Sequence, residues 1–312
     1  MSKYLVTGGA GFIGSHLARH LVAEGHEVVV LDNLSTGRRE NLNDIIDNLR
    51  FVEGSITDIE TVRECCRGVD CVFHQAALPS VPRSVADPLM SDEHNIGGTL
   101  RVFWGAHLEG VRRVVYAASS SIYGDTEELP KHEGMQPKPM SPYAVNKRVS
   151  ELYGSVFNNL YGLSTIGLRY FNVFGPRQDP NSQYAAVVPK FITAFLEGEA
   201  PIIHGDGGQS RDFTYIQNVV EANMAACNAD NEAGGRSYNV ALGGRISVKD
   251  LCLQIRQLLG SEIDPVHDES RAGDVRHSQA SVDLAKKYLG YDGSVSLDEG
   301  LSRTVDWYRD NT

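Results

Sequence analysis

Short apolar runs alternate with helical stretches along the first half of the chain. Six runs rich in β-branched residues are YLVT, EVVVL, LRFVE, CVFHQ, RRVVYA and STIGLR. The predicted helices between them cover residues 12–24, 59–66, 87–109 and 141–161. Apolar strands that alternate with helices predict β-α-β units and a parallel sheet buried on both faces, for which we expect seven strands.

This alternation breaks down after residue 171. Clusters of Gly and Pro (GPRQDPNSQY, HGDGGQSRD, LGGR) there separate short strands from helices near 185–196, 216–227 and 248–258. We predict a main domain over residues 1–171 and a smaller lobe over 172–312, with the chain able to cross between them. Sheets of this class bind ligands at the carboxyl ends of their strands, so the two lobes should share one cleft.

Composition and charge exclude several functional classes. The 312 residues are 41% hydrophobic and 22% charged, which is typical of a globular enzyme. A net charge of -11 disfavours a nucleic-acid or anionic-membrane partner. The apolar runs are far shorter than the roughly 20 residues that span a bilayer, and the N-terminus lacks the regions of a signal peptide. We therefore expect no membrane span and a cytoplasmic location.

The cysteines suggest neither disulfides nor a metal site. They are odd in number and show no Cys-x-x-Cys spacing. We predict that all five are reduced, structural residues in a reducing cytoplasm, with no bound metal. They are Cys65, Cys66, Cys71, Cys227 and Cys252.

A glycine-rich segment, TGGAGFIG, follows the first strand and opens a helix. Gly9, Gly11 and Gly14 match G-x-G-x-x-G, and Gly8 replaces Gly9 in the alternative G-x-x-G-x-x-G spacing. Glycine permits the tight turn and lets the backbone approach a pyrophosphate at the positive end of the helix. Such a turn also occurs without a ligand, so the motif needs support from elsewhere in the chain.

That support comes from Asp32, which ends the next strand 18 residues after Gly14. A carboxylate there accepts hydrogen bonds from an adenosine ribose and repels a 2′-phosphate. Arg38 and Arg39 lie nearby and would favour NADP. Because the carboxylate ends the strand itself, we predict NAD.

Tyr143 and Lys147 form a Y-x-x-x-K pair in a helix that Ser141 and Pro142 open as N-cap and first residue. Four residues apart, the two side chains share one face. A neighbouring ammonium favours the phenolate, which would make the tyrosine a usable base. We expect the opposite face to be the helix's own core stripe; its apolar residues are Val145, Val149, Leu152 and Val156.

The segment AASSSIYG follows the strand RRVVY and places Ser119 at its carboxyl end. Its hydroxyl there would bond the same substrate oxygen as Tyr143. Ser119 to Ser121 are also suited to satisfying the backbone of a turn. With the Tyr-Lys pair downstream, we predict a catalytic set of Ser119, Tyr143 and Lys147.

These motifs, with HQAA at 74–77, Asn95 and LRYFNVFGPR at 168–177, resemble the extended short-chain dehydrogenase/reductase family, specifically its UDP-glucose and UDP-N-acetylglucosamine 4-epimerases. The resemblance covers nearly the whole chain. It implies a doubly wound Rossmann sheet with bound NAD, a smaller lobe for a UDP-sugar, and a homodimer through the helices near 87–109 and 141–161.

The resemblance also implies a reaction. Tyr143 takes the proton of the C4 hydroxyl while hydride passes to NAD, the 4-keto sugar turns, and hydride returns to its other face. Related dehydratases carry an Asp-Glu pair, and decarboxylases a Glu, after the catalytic Thr or Ser. Ser120 and Ser121 occupy those places here, and a hydroxyl does not readily replace a carboxylate in proton transfer. A non-catalytic NAD sensor would be expected to lack the Tyr or the Lys.

The family's NAD-contacting positions carry over by motif. Asp58 and Ile59 match an adenine-contacting pair, although Asp58 is also suited to capping the next helix. The predicted NAD site consists of Gly8, Gly11, Phe12, Ile13, Gly14, Asp32, Asn33, Ser35, Thr36, Gly37, Asp58, Ile59, Gln75, Ala76, Ala77, Asn95, Tyr143, Lys147 and Tyr170.

The substrate site carries over in the same way. Arg211 and Arg271 resemble the arginines that hold the UDP pyrophosphate, and Asp274 the acid near the uridine ribose, although an arginine taken alone is more often a surface ion-pair partner. Asn172 resembles a substrate-contacting Asn. The predicted substrate site consists of Ser80, Ser119, Ser121, Tyr143, Asn172, Val187, Arg211, Arg271, Asp274 and Ser278.

Ser278 bears on substrate range. In this family the residue four places after the acid that Asp274 resembles lies beside the C2 substituent of the sugar. A Tyr at that position excludes acetylated sugars. Ser278 is small, so we predict interconversion of UDP-N-acetylglucosamine with UDP-N-acetylgalactosamine as well as of UDP-glucose with UDP-galactose. If the spacing from Asp274 is one residue shorter or longer than four, His277 or Gln279 faces the sugar instead. We assign no catalytic role to His277 or His74.

Overall fold

A seven-stranded parallel sheet forms the centre of the computed structural model, which describes residues 1–180, 186–269 and 275–311. The strand order is β11-β6-β5-β4-β1-β2-β3, so the order reverses between β1 and β4. This confirms the predicted doubly wound sheet, whose ligand crevice is at that reversal. The strands are β1 (Lys3–Thr7), β2 (Glu27–Asp32), β3 (Arg50–Glu53), β4 (Cys71–His74), β5 (Arg113–Ser119), β6 (Ser164–Tyr170), β7 (Val173–Phe174), β8 (Ile202–His204), β9 (Ser210–Arg211), β10 (Thr214–Tyr215), β11 (Arg236–Val240), β12 (Ile246–Ser247) and β13 (Val266–Asp268).

Helices cover both faces of the sheet. Along β2, Val28 and Val30 face one apolar cluster while Val29 and Leu31 face the other, which explains the uninterrupted apolar run. The helices are α1 (Phe12–Ala23), α2 (Ile59–Cys66), α3 (Val81–Ala86), α4 (Pro88–Asp92), α5 (Thr99–Leu108), α6 (Pro142–Tyr161), α7 (Val187–Leu196), α8 (Ile216–Asn228), α9 (Val248–Leu259), α10 (Asp283–Leu289) and α11 (Leu297–Asn311).

One long helix over 87–109 was expected, but a π-helical segment at Glu93–Gly98 separates α4 from α5. The wider turn accompanies close packing at Gly98, where a Cβ atom would lie 2.4 Å from Ile56 Cδ1. It also buries Asn95, whose carbonyl accepts a hydrogen bond from Thr99 Oγ1 at 2.6 Å.

The seventh strand of the sheet comes from the second half of the chain. β11 pairs with β6 in parallel, with Tyr238 opposite Leu168. Helix α8, which precedes β11, is also attached to the sheet. The buried guanidinium of Arg113 on β5 donates to the carbonyls of Ala226 and Cys227 at the end of this helix. The chain therefore crosses back from the second half into the main sheet, and the domain boundary at 171/172 stays a prediction.

The prediction about the faces of α6 was wrong. Val145, Leu152 and Val156 are 44%, 50% and 42% exposed, whereas the face that carries Lys147 is buried. Small residues let this face approach the sheet: a Cβ atom on Gly154 would lie 2.6 Å from Tyr116 Oη. Helical spacing identified two faces correctly but not which of them the sheet covers.

Candidate active site

A cleft of about 1140 Å³ opens where β6, β5, β4, β1 and β2 end. Its floor is the glycine turn. Gly8 has φ +68°, and a Cβ atom there would lie 2.6 Å from Ala76 N; a Cβ on Gly14 would lie 2.1 Å from Gly8 O. Gly11 begins α1 without a side-chain cap, so the first N–H groups of this helix are available to an anion. This cradle fits a pyrophosphate.

Asp32 is buried at the end of β2. Its carboxylate accepts hydrogen bonds from Ala10 N at 2.9 Å and Leu34 N at 2.8 Å. Burial raises the pKa of Asp32, and these two N–H groups oppose the rise. A Cβ on Gly37 would lie 2.8 Å from Oδ2, so only glycine lets the next loop close over the carboxylate.

The two arginines near Asp32 have other contacts. Arg38 forms an ion pair with Asp179 at 2.7 Å across the cleft, and the Arg39 guanidinium lies 5.1 Å from the centre of the Phe51 ring. A carboxylate at the strand end, with both arginines engaged, fits the unphosphorylated ribose of NAD.

Tyr143 and Lys147 line the cleft beside Ser119. Lys147 Nζ donates to Ala117 O at 2.7 Å and lies 5.8 Å from the centre of the Tyr143 ring. Burial lowers the pKa of Lys147 to about 8, against the opposing charge of Glu151. Burial also raises the pKa of Tyr143, and the hydrogen bond with Ser119 opposes that rise.

The lysine was expected to lower the tyrosine pKa. Here burial outweighs other influences on Tyr143, and the opposing contact is Ser119. Ser119 Oγ also accepts a hydrogen bond from Ser121 N at 3.2 Å, so it is at once a neighbour of Tyr143 and a cap of the following turn. The turn-capping interpretation of this serine is therefore confirmed, and its catalytic role stays a prediction.

Buried amides fix the walls of the cleft. Asn95 Oδ1 accepts from Leu78 N at 2.8 Å and so holds the loop after β4, although Asn95 itself does not line the cleft. Tyr170 Oη accepts from Asn223 Nδ2 at 2.9 Å and donates to Gln75 Oε1 at 3.2 Å. The ends of β4 and β6 are thus tied to α8.

Most of the predicted cofactor residues meet in the cleft. Asp58 and Ile59 do not line it: Asp58 caps α2, accepting from Glu60 N at 3.1 Å and from the Thr61 hydroxyl at 2.6 Å. The predicted residues that line it are Gly8, Gly11, Phe12, Ile13, Gly14, Asp32, Asn33, Ser35, Thr36, Gly37, Gln75, Ala76, Ala77, Ser80, Ser119, Tyr143, Lys147, Tyr170 and Asn172.

The remaining substrate positions lie elsewhere in the described residues. Ser121, Val187, Arg211 and Ser278 do not line this cleft, and Arg271 and Asp274 fall outside the described residues. Arg211 and Ser278 are nevertheless neighbours, because Ser278 N donates to the carbonyl of Ser210 at 3.0 Å. Ser80 lines the cleft and also caps α3 through Arg83 N at 3.1 Å.

Several lining residues escaped the sequence analysis. Ile56 follows the carboxyl end of β3, a position that strand-end reasoning would have found. No local pattern points to the others, which come from helices of the first half, from the loop after β7 and from α11 at the far end of the chain. They include Arg83, His94, Arg177, Trp307 and Asn311.

Within residues 1–180, 186–269 and 275–311, no cluster of three metal-binding side chains occurs, and no helix has the length and apolar character to cross a bilayer. All five cysteines are buried and unpaired as disulfides.

A Rossmann sheet, a pyrophosphate cradle and a Tyr-Lys pair beside a serine define an NAD-dependent enzyme. The model of the NAD-dependent epimerase/dehydratase family matches residues 4–241, and the chain belongs to this family, with NAD as its cofactor. This confirms the predicted family and cofactor.

The relatives of this chain are named for different reactions. The chain is 39% identical to a UDP-glucose 4-epimerase of Mycolicibacterium smegmatis, over 99% of each chain. It is 40% identical, with a TM-score of 0.93, to a UDP-N-acetylglucosamine 4-epimerase of Methanobrevibacter ruminantium solved with UDP-N-acetylmuramic acid, covering 100% of this chain and 99% of that one. It is also 32% identical to a UDP-N-acetyl-α-D-glucosaminuronate decarboxylase of Bacillus cytotoxicus, over 99% of this chain and 98% of that one.

Proposed function

We propose that this enzyme is a UDP-hexose 4-epimerase that interconverts UDP-glucose with UDP-galactose and UDP-N-acetylglucosamine with UDP-N-acetylgalactosamine. The observation that carries the proposal is the Ser119, Tyr143 and Lys147 set at the cleft, followed by Ser120 and Ser121. With hydroxyls at those two positions, the turn offers no carboxylate for the elimination that a dehydratase performs.

The residues of the site support a proton transfer at the sugar's C4 hydroxyl. Bound NAD would supply the acceptor, and later the source, of the C4 hydride. Tyr143 takes the hydroxyl proton, assisted by its hydrogen bond with Ser119 and by the nearby Lys147 ammonium. The hydrogen bond from Lys147 Nζ to Ala117 O holds this charge beside the ring. Tyr143 gives the proton back after the sugar has turned.

We propose that the NAD pyrophosphate is held by the amides at the start of α1, and the adenosine ribose by Asp32. The UDP-sugar would be held by Asn172, Arg211 and Ser278, together with the predicted Arg271 and Asp274. The proximity of Ser278 to Arg211 supports a shared role, since one residue would face the sugar and the other the adjoining pyrophosphate.

The test is incubation with each UDP-hexose and identification of the product by NMR. We expect the C4 epimer from both acetylated and non-acetylated substrates, without added NAD. Ser278→Tyr should abolish the acetylated activity and spare the other, whereas Ser278→Ala, which keeps the space, should retain both. Release of CO₂ from a UDP-uronate, or a 4-keto-6-deoxy product, would instead identify a decarboxylase or a dehydratase.

We also propose a homodimer, with the cytoplasm as its location. Support for the dimer is the exposed apolar face of α4, α5 and α6, on which Leu89 and Leu160 are 82% and 77% exposed, and which continues through Leu152 and Trp104. Isolated apolar residues are common on surfaces, but a contiguous group marks an interface. Buried, unpaired cysteines are compatible with a reducing compartment.

Light scattering after gel filtration tests the dimer. Leu152→Glu should yield a monomer because it places a charge in the proposed interface. Val266→Glu changes an apolar residue on β13 of nearly the same exposure, 49% against 50% for Leu152, and should leave the dimer intact. A wild-type monomer at micromolar concentration would contradict the proposal.

A further inference from the structure

Asp212 is a buried carboxylate outside the catalytic set. It directly follows Arg211 and is 1% exposed. Its Oδ1 accepts a hydrogen bond from Leu242 N at 3.1 Å, and its Oδ2 accepts from Gly243 N at 3.0 Å and from Ala280 N at 3.2 Å. One side chain therefore joins three separate segments of the chain.

Burying this carboxylate is costly. Among the ion pairs of the described residues, none includes Asp212, so backbone N–H groups alone compensate its charge. Burial raises the pKa of Asp212 to about 6, against the opposing effect of the three N–H groups. A buried carboxylate without a cationic partner lowers stability, which indicates that the contacts it makes serve another purpose.

The segments that Asp212 joins carry the proposed substrate residues. Arg211 precedes it, and Ser278 lies two residues before Ala280. The backbone carbonyl of Asp212 accepts from Asn172 Nδ2 at 3.1 Å, and Asn172 lines the cleft beyond the end of β6. Asp212 thus links the main sheet to the lobe that would bind UDP.

We propose that Asp212 is a positioning residue for the UDP-sugar: its carboxylate fixes the segment of Arg211 against the segment of Ser278, and its backbone carbonyl holds Asn172 to the same junction. The inference rests on the function proposed above. It gives Asp212 no contact with the substrate, the cofactor or the reacting atoms.

Asp212→Asn is the sharpest perturbation because it preserves size and removes the charge. An amide offers one acceptor oxygen and an NH₂ group, and the NH₂ group would face an N–H donor. At least one of the three contacts is then lost, which corresponds to about a tenfold change in an equilibrium constant. We expect KM for the UDP-hexose and the dissociation constant for UDP to rise about tenfold or more, with kcat within about threefold of wild type.

The NAD content of the Asp212 variant distinguishes a positioning role of this residue from a general loss of stability. The NAD cradle is built from β1, α1 and β2, and the hydrogen bonds of the Asp212 carboxylate come from other segments, so NAD content should stay at the wild-type level. Asp292→Asn is the control: this carboxylate, on the same half of the chain, is 84% exposed and pairs with Lys286 at 2.8 Å. Its substitution should leave KM, kcat and NAD content unchanged.

The measurements are NAD content, calorimetric binding of UDP, and epimerase kinetics on wild type, Asp212→Asn, Asp212→Ala and Asp292→Asn. An unchanged KM and UDP affinity in Asp212→Asn would overturn the inference. So would a parallel fall of kcat, UDP affinity and NAD content, or failure of both Asp212 variants to fold. Wild-type protein that binds no UDP and epimerises no UDP-hexose would count against the proposed function.

Discussion

Gly14→Ala should loosen the cofactor cradle. The added Cβ would lie 2.1 Å from Gly8 O and 2.8 Å from Gly9 Cα, well inside the 3.4 Å at which ordinary contact begins. Both neighbours are backbone atoms, so no side chain can rotate away. Helix α1 must move relative to the turn, and the N–H groups that face the pyrophosphate move with it.

The stability change has two opposing parts. Overpacking of this kind costs roughly 1–3 kcal/mol, and the immobile backbone places Gly14 near the upper end. Alanine recovers up to about 1 kcal/mol of helix propensity over glycine. The net loss is about 2 kcal/mol, which lowers Tm by about 3 °C at an unfolding entropy of ~2 cal/mol/K per residue.

Two assays check this prediction. Calorimetry of NAD-free protein gives Tm, and chromatography of the acid-denatured protein gives the NAD retained on purification, which should fall well below wild type. Gly244→Ala is the control, since nothing lies within 4 Å of its added Cβ. Gly14→Ala protein with full NAD content and an unchanged Tm would refute the reasoning about the cradle.

Two further predictions concern the catalytic base and acid stability. Tyr143→Phe should lower kcat by at least about 100-fold, as expected for loss of a general base, with UDP affinity kept; substantial remaining kcat would assign the base elsewhere. His74 is buried between Thr7 Oγ1 at 2.7 Å and Thr99 Oγ1 at 3.0 Å, and burial lowers its pKa to about 3. Because the unfolded chain binds this proton near pH 6.5, stability present above that pH should be lost as pH falls from about 6.5 towards 3. Tm measured from pH 7 to pH 4 should fall less in His74→Asn than in wild type, and parallel profiles would contradict the assignment.

The sequence by itself determined the features that depend on local spacing. A parallel β-α-β sheet follows from apolar runs separated by helices, because strands buried on both faces need apolar residues at successive positions. The glycine turn, Asp32 at a strand end, and the Tyr143–Lys147 spacing are equally local. Each is set by the geometry of one turn, one strand or one helix.

Only the tertiary structure decided what covers each element. The spacing in α6 separated two faces, yet the sheet covers the face with Lys147 and Gly154 and leaves Leu152 exposed. Helical periodicity fixes which side chains share a face; burial depends on the partner that packs there.

Contacts between segments that are far apart in the chain could not be predicted from the sequence. β11 joins β6 across about 70 residues of chain, Arg38 pairs with Asp179, and α11 brings Trp307 to the cleft. No periodicity encodes such pairings, because they depend on strand order and on the packing of whole helices. Asp212 belongs with them: a single carboxylate in the sequence becomes a junction of three segments only when β9, the loop after β11 and the approach to α10 meet.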